Sequence, residues 1–310
     1  MIDVSFLIST FNSEATIGRC IDSIFSQSFK NFEVIIVDDG STDATKSIIS
    51  KFKDARIRYF YQENSGISKA LNFGLLKANG KYIAKLDSDD LCLADRILLQ
   101  YNFLESHPEY VVCGSSARIM SDDNIFLNDQ LEPEEDIDIR AKMLKCNAFI
   151  HSSAFYRRSS ALSVMYDEEI VHFFEDYLFF SQLLKLGKGY NFKKPLIIYY
   201  VSPFSISRNK MTYNQKTLMM RIIRRGYGVK GEAQLFNSLK KINRNKSLSN
   251  YYLLNFRSLI KNSDRYILAL KYLKLSIMQR FWNPQIYASI LYMFYYLIFK
   301  KRVYYKMLLF

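Results

Sequence analysis

The sequence predicts an α/β fold: a mostly parallel sheet flanked by helices, with a basic helical extension at the C-terminal end. Three observations carry this. Short apolar runs alternate with segments of helical spacing as far as Asp90. Polar clusters stand at the ends of four of those runs, where open parallel sheets bind ligands. Charge is divided unevenly. Residues 1–207 hold 22 Lys/Arg and 28 Asp/Glu, whereas residues 208–310 hold 21 Lys/Arg and two acids, Glu232 and Asp264.

The elements follow in order. Val4 to Ser9 is a compact apolar run suited to a buried parallel strand. Asn12 or Ser13 is expected to cap the next helix, with Ile17, Cys20, Ile21 and Ile24 on one face. Phe32 to Val37 is a second strand running into Asp38-Asp39-Gly40-Ser41, and Ser41 or Thr42 then caps a helix through Phe52. Ile57 to Tyr61 is a third strand. Ser65-Gly66 opens a helix through Lys77 that Asn79-Gly80 terminates. Tyr82 to Leu86 is a fourth strand, which places Ser9, Asp39, Asn64 and Asp87–Asp90 at four strand ends. Beyond it, Ala94–Leu104 reads as a helix and Val111–Met120 as a strand. An acidic loop over Leu131–Asp138 leads into a helix through Lys145. A strand is centred on Phe155, a helix runs over Phe173–Leu186, and a last strand over Pro195–Val201.

The two charge regimes set the domain expectation: residues 1–207 as one α/β domain, residues 208–310 as a helical, basic, aromatic-rich region. From Thr212 the pattern is helical. Asp264 is expected to cap a helix with Ile267, Leu270, Leu273 and Ile277 on one face and Arg265, Lys271, Lys274 and Arg280 supplying charge. Ile286 to Phe299 carries no charge and is followed by Lys300-Lys301-Arg302. That run is shorter than the roughly 20 residues a spanning helix needs. It fits an interfacial helix with Trp282, Tyr287, Tyr292, Tyr295 and Tyr296 near headgroups, or a helical bundle packed on the first domain. A net charge of +19 over residues 208–310 calls for an anionic partner, expected here to be an anionic inner-leaflet membrane surface. No nucleic-acid-binding motif accompanies the charge, so no nucleic acid is expected.

Composition excludes other classes. An apolar content of 49% and an aromatic content of 15% exclude global disorder. Cys20, Cys92, Cys113 and Cys146 form no CxxC pair, which argues against a structural zinc site. Cys20 on a helix pattern and Cys113 in an apolar strand read as reduced, buried thiols of a cytosolic protein, and Asp3 interrupts any leader pattern.

The chemistry concentrates at Asp87-Ser88-Asp89-Asp90. Crowded carboxylates raise one another's pKa unless a cation sits among them. Oxygen-only ligands at a strand end suit Mn²⁺ or Mg²⁺, which bind jointly to one or two carboxylates and a diphosphate.

Taken together, Val4 through Asn12, Val37 through Asp43, Gly66 through Asn72 to Gly74, Gly80-Lys81-Tyr82-Ile83, Asp87 through Asp90 and Glu175-Asp176 resemble a family-2 glycosyltransferase of the GT-A fold. The likeness covers residues 3–207. It implies a UDP-sugar donor bound across the first half of the sheet, with Asp39 on the base and Ser9 and Phe11 lining the base pocket. Phe11 is otherwise a core aromatic. Asn64 lies on the same nucleotide side. Asp89 is implied as the main metal ligand, and Asp87 sits toward the ribose or metal. Asp176 is implied as the general base of an inverting transfer; Glu175, about 100° away on a helix, cannot share its aim. The segment from Cys146 to Ser153 resembles one found in bacterial surface-polysaccharide members, and His151 within it is a candidate for the diphosphate or metal. Lys69 and Arg208 are cationic candidates for a phosphate.

Two departures stand out. Leu71 replaces an arginine that many relatives carry before the position of Asn72. The Gln-x-x-Arg-Trp signature of processive synthases is absent, which implies addition of one sugar per encounter. The expected enzyme therefore moves a hexose or N-acetylhexosamine from a UDP-sugar to a polyprenyl-diphosphate-linked saccharide acceptor in surface polysaccharide (O-antigen, capsule or exopolysaccharide) synthesis. It is expected in the cytoplasm, peripheral on the inner face of the cell membrane. Two rivals are a nucleotidyltransferase, which the missing Gly-rich phosphate loop opposes, and a non-catalytic membrane adaptor, which the intact Asp39, Asp89 and Asp176 oppose.

Overall fold

The computed structural model describes residues 2–168, 174–201 and much of 252–293. Among these, residues 2–118 and 129–199 belong to one compact unit, and residues 119–128, 200–201 and the described part of 252–293 belong to a second.

The first unit is built on a sheet whose strands run β3-β2-β1-β4-β8-β6-β9-β5. Its elements are β1 (Val4–Thr10), α1 (Ile17–Phe25), β2 (Phe32–Asp39), α2 (Thr45–Ile49), β3 (Ile57–Gln62), α3 (Ile67–Lys77), β4 (Tyr82–Lys85), β5 (Leu91–Cys92) and α4 (Arg96–Ser106). These are followed by β6 (Tyr110–Ser121), β7 (Phe126–Gln130), α5 (Asp136–Met143), a 3-10 turn at His151–Ser153, β8 (Phe155–Arg157), α6 (Arg158–Val164), α7 (Glu175–Leu186) and β9 (Lys188–Val201). β3, β2, β1 and β4 are parallel, with Leu7 facing both Ile35 and Lys85 across the ladder. β8 is antiparallel to β4 and β6, and β5 is antiparallel to β9.

Alternation along β1 explains why both faces are covered. Leu7 joins Ile35, Val37 and Ile83 in a core under α3, α6 and α7. Phe6 and Ile8 join Val34, Ile36 and Ala84 in a second core under α1 and α4. Strands buried on both faces read as continuous apolar runs, as β1, β2 and β4 do. Each fully buried Leu, Ile or Phe contributes about 1.5–3 kcal/mol.

Several expectations need correction. α1 begins at Ile17, not at a cap by Asn12 or Ser13. Asn12 sits at a φ of 48° and its Oδ1 accepts the Thr42 amide at 2.9 Å, which ties the β1 and β2 loops together. α2 is only five residues and starts after Ala44, because Asp43 accepts the amides of Glu14 and Thr45 and so shapes a loop where a helical turn was expected. β5, β7 and α6 were not anticipated. β9 begins at Lys188, well before Pro195. Cys20, Cys92 and Cys113 are buried, and Cys146 is exposed.

In the second unit, α8 (Tyr266–Gln279) buries Ala269, Tyr272, Leu273 and Ser276, a helical face at i, i+3, i+4 and i+7. Leu270, expected inward, is 48% exposed. The Tyr272 hydroxyl lies 3.3 Å from Ser121 Oγ and 3.4 Å from Asp123 Oδ2, and this contact turns the helix. Lys271, Lys274, Arg280 and Tyr287 are exposed. No helix among the described residues is long and apolar enough to cross a membrane. Phe173, Arg208, Thr212, Asp264, Arg265, Trp282, Tyr292, Tyr295, Tyr296 and Lys300–Arg302 lie outside the described residues, as does the side chain of Ile267.

Candidate active site

The site is centred on the loop that leaves β4. Ile83, Lys85 and Asp87 alternate onto one face, so an aspartate two residues beyond a buried lysine lies within its reach. Lys85 is fully buried, and its Nζ donates to Oδ1 of Asp87 at 2.6 Å and to the Leu86 carbonyl at 3.0 Å. The Ser152 hydroxyl donates to Oδ2 of Asp87 at 2.8 Å and accepts the Asp87 amide at 3.0 Å. Burial would raise the Asp87 carboxyl, but the Lys85 ammonium and the Ser152 hydroxyl hold it below the usual carboxylate range.

Three further contacts shape this loop. Arg96, fully buried on α4, donates to the carbonyls of Lys85 at 2.7 Å and Ala154 at 3.2 Å, which clamps β4 to the start of β8. Arg19 on α1 donates to the Asp89 carbonyl at 3.2 Å. The Ser13 and Ser88 hydroxyls lie 2.9 Å apart. The β4 loop is thus held from α1, α4 and the 3-10 turn together.

Asp89 is pushed up to about 6 by burial and by the Asp87 charge. A half-buried carboxyl destabilised by another carboxylate is a place where a divalent cation gains binding energy. Both oxygens of Asp87 already face Lys85 and Ser152, which leaves Asp89 as the lead oxygen donor. Among the described residues no group of three or more His, Cys, Asp or Glu could hold a metal ion by itself. That donor set fits Mg²⁺ or Mn²⁺, ions that complete their shells with water and substrate phosphate, better than a metal wanting an all-protein cage.

Across from this loop, Phe174 at a φ of 81° turns the chain into α7, whose first residues are Glu175 and Asp176. Burial and the Asp176 charge push Glu175 up to about 8. Burial and the nearby Asp87 charge push Asp176 up to about 6, against the opposing Tyr177 amide and Asn147 side-chain bonds. Oδ1 of Asp176 accepts the Tyr177 amide at 2.6 Å, and Oδ2 accepts Nδ2 of Asn147 at 2.8 Å. The Asp87 charge acts on both Glu175 and Asp176, so the β4 loop and the start of α7 share one electrostatic site.

His151 lies between them. Its Nε2 is 3.0 Å from the Tyr166 hydroxyl, and its Nδ1 is 4.0 Å from Oδ1 of Asp87. Burial and the Lys85 charge push it down to about 3, so it is neutral at physiological pH. Asn72 fixes Tyr166 in turn, bonding its carbonyl at 2.9 Å and its amide at 2.8 Å.

The nucleotide-side residues form a second group. Oδ1 of Asp39 accepts the Ser65 amide at 2.9 Å and Nε2 of Gln62 at 2.7 Å, and Oδ2 accepts the Gly66 amide at 2.9 Å. Asp39 therefore ties β2 to the entrance of α3. Gly40, at a φ of 89°, lies so close to Asn64 that a Cβ would meet its backbone nitrogen at 2.7 Å. Ser9 is half-buried at the end of β1, Phe11 is 51% exposed and so is not the core aromatic of the alternative reading, and Asn64 and Lys69 are exposed. The structure thus brings Asp87, Asp89, His151 and Asp176 into one cluster and sets Asp39 beside Asn64. Lys85, Arg96, Ser152 and Tyr166 were missed from sequence. The available signal was Lys85 and Arg96 themselves, charged residues inside apolar patterns.

Comparison with known proteins gives the following. Residues 5–164 match Glycosyl transferase family 2. A protein of Escherichia coli described as UDP-Glc:alpha-D-GlcNAc-diphosphoundecaprenol beta-1,3-glucosyltransferase WfaP is 34% identical over 210 residues, covering 67% of this chain and 80% of that protein. An uncharacterized glycosyltransferase of Rickettsia felis is 46% identical over 105 residues, which is 34% of this chain and 17% of that protein. The chain thus spans well under a fifth of the first curated relatives it matches. S. aureus TarS 1–349, solved in complex with UDP-GlcNAc, superposes with a TM-score of 0.59 at 19% identity, covering 89% of this chain and 82% of that one.

Proposed function

Since this chain belongs to glycosyl transferase family 2, we propose that it is an inverting, metal-dependent glycosyltransferase moving one sugar from a UDP-sugar to a polyprenyl-diphosphate-linked saccharide. The observation that carries this reading is the electrostatic meeting of the Asp87 loop with Asp176. In this reading, carboxylates that would hold a cation act on a carboxyl raised enough to accept a proton. The donor and acceptor classes draw support from the name of the Escherichia coli relative, and surface polysaccharide synthesis is proposed with them.

In this reading Ser9, Phe11, Asp39 and Asn64 line the nucleotide side, and Lys69 lies at its edge. Asp89 would hold Mn²⁺ or Mg²⁺ with help from Asp87. The ion would supply positive charge against the diphosphate of the leaving UDP. Asp176 takes the proton of the acceptor hydroxyl while its oxygen attacks the anomeric carbon. The bond to the diphosphate oxygen breaks and its electron pair leaves with UDP, so no covalent enzyme intermediate is needed. Neutral His151 offers a hydrogen bond to the diphosphate without adding charge. The basic region over residues 208–310 would hold the protein on the anionic inner leaflet, where a polyprenyl carrier lies.

The test is nucleotide release from a panel of nucleotide-sugars with Mn²⁺, with and without EDTA, over long incubation. EDTA-sensitive UDP release from one donor, lost in Asp89→Ala and in Asp176→Asn while Asp176→Asn still binds UDP, is expected. Turnover of Asp176→Asn equal to wild type would overturn the assigned base.

A further inference from the structure

Two carboxyls stand side by side at the start of α7, yet only one can act as the base. Asn147 contacts one of them. Its Oδ1 accepts the Phe149 amide at 3.1 Å, which orients the carboxamide so that Nδ2 points at Oδ2 of Asp176, 2.8 Å away. The position of Asn147 is itself set by its neighbours. It follows α5, whose Met143 carbonyl receives the Tyr177 hydroxyl at 2.7 Å and whose Met143 sulfur receives the Ala148 amide. The segment carrying the amide is therefore fastened to the helix carrying the acid.

We propose that Asn147 is a positioning residue: its side-chain N–H aims Asp176 and makes it, rather than Glu175, the carboxylate that is ionised for proton transfer. This rests on the assignment of Asp176 as the base. A neutral amide donor stabilises the charged form of a carboxyl, and it does so less than an ammonium or guanidinium would. Asp176 is thereby left ionised but still basic. Each oxygen keeps a lone pair beyond the one given to its N–H donor, so Oδ2 can accept a hydroxyl proton while held by Asn147. Among the described residues, Asp87 and Lys85 from the β4 loop act on Glu175, Asp87 acts on Asp176, Asp176 acts on Glu175, and the Tyr166 hydroxyl, from the segment after α6, feels both acids. Among the described residues, the amide of Asn147 is a side-chain donor that reaches Asp176.

The experiment follows the carboxyl resonances of protein labelled with ¹³C at the aspartate side chain through a pH titration, with the Asp176 signal assigned by its loss in Asp176→Asn. Asn147→Ala should raise the Asp176 midpoint by about one pH unit. Asn147→Asp, which keeps the acceptor for the Phe149 amide, should raise it further. The acidic limb of UDP release should move with the midpoint in both. An unchanged midpoint in both variants overturns the inference, and Asn147→Asp carries the test if the alanine variant does not fold. Asp176→Asn that still turns over would instead overturn the base assignment, whatever the titration shows.

Discussion

The ammonium of Lys85, buried beside the core strands, is neutralised by Asp87 two residues along the same strand face, 2.6 Å from Nζ to Oδ1. The cation expected among the crowded acids is therefore partly built in. Asp87→Asn should leave that ammonium buried with only the Leu86 carbonyl and an amide oxygen. Because Asp87 is itself partly exposed, we expect a loss of about 2–3 kcal/mol in unfolding free energy at pH 7, measured by urea denaturation. Lys85→Met in the Asp87→Asn background should recover much of it, since both charges are then gone.

Arg96→Met should cost about 3 kcal/mol by the same denaturation measurement. The guanidinium serves the carbonyls of Lys85 and Ala154, Oε1 of Gln100 and Sγ of Cys92 with no exposure to water. A methionine of similar volume fills the space but leaves those acceptors unpaired. A variant as stable as wild type would show that they find other donors.

Glu175→Gln should stabilise the protein at alkaline pH. Glu175 is raised from 4.5 to about 8 in the fold. Between those values the unfolded chain has released this proton and the native protein has not, so stability falls as pH rises through the window. Glutamine removes the penalty. The gain should be near zero at pH 4 and, because Glu175 is half-buried and partly screened by water, about 1–2 kcal/mol at pH 8.5, read from melting temperatures across that range. A gain independent of pH would count against a raised Glu175.

Gly40→Ala should destabilise by about 2 kcal/mol and weaken UDP binding in calorimetry. A φ of 89° strains any residue with a Cβ, and the Asn64 backbone lies where that Cβ would go. Moving Asn64 also moves the Ser65 and Gly66 amides that Asp39 accepts. Unchanged UDP affinity in a destabilised variant would separate the turn from the nucleotide side.

The parallel half of the sheet was legible because β1, β2 and β4 are buried on both faces and so advertise themselves as apolar runs. The antiparallel half was not. β5 is two residues long, and β9 carries Lys193, Lys194 and Pro195 in mid-strand. α8 was found, but its buried face was misjudged, because Tyr272 is aimed by Ser121 and Asp123, some 150 positions earlier. The site divides in the same way. Asp87, Asp89 and Asp176 are visible as acids in turn-like or helix-start settings. The roles of Lys85, Ser152, Tyr166 and Asn147 depend on partners that only the folded chain brings near. Raised carboxyls such as Glu175 are legible only once burial is known.

Among the described residues, the second compact unit recruits its parts from distant stretches of chain, the tip of the β6–β7 hairpin at residues 119–128 and the described part of 252–293 that contains α8. No single scission can separate it from the rest. A fragment stopped ahead of α8 keeps the hairpin tip, with Ser121 and Asp123 deprived of the Tyr272 hydroxyl. A cut ahead of α8 is therefore an amputation within a folded body. Loss of vesicle binding by such a fragment would speak of membrane contact only if the hairpin tip were trimmed in parallel.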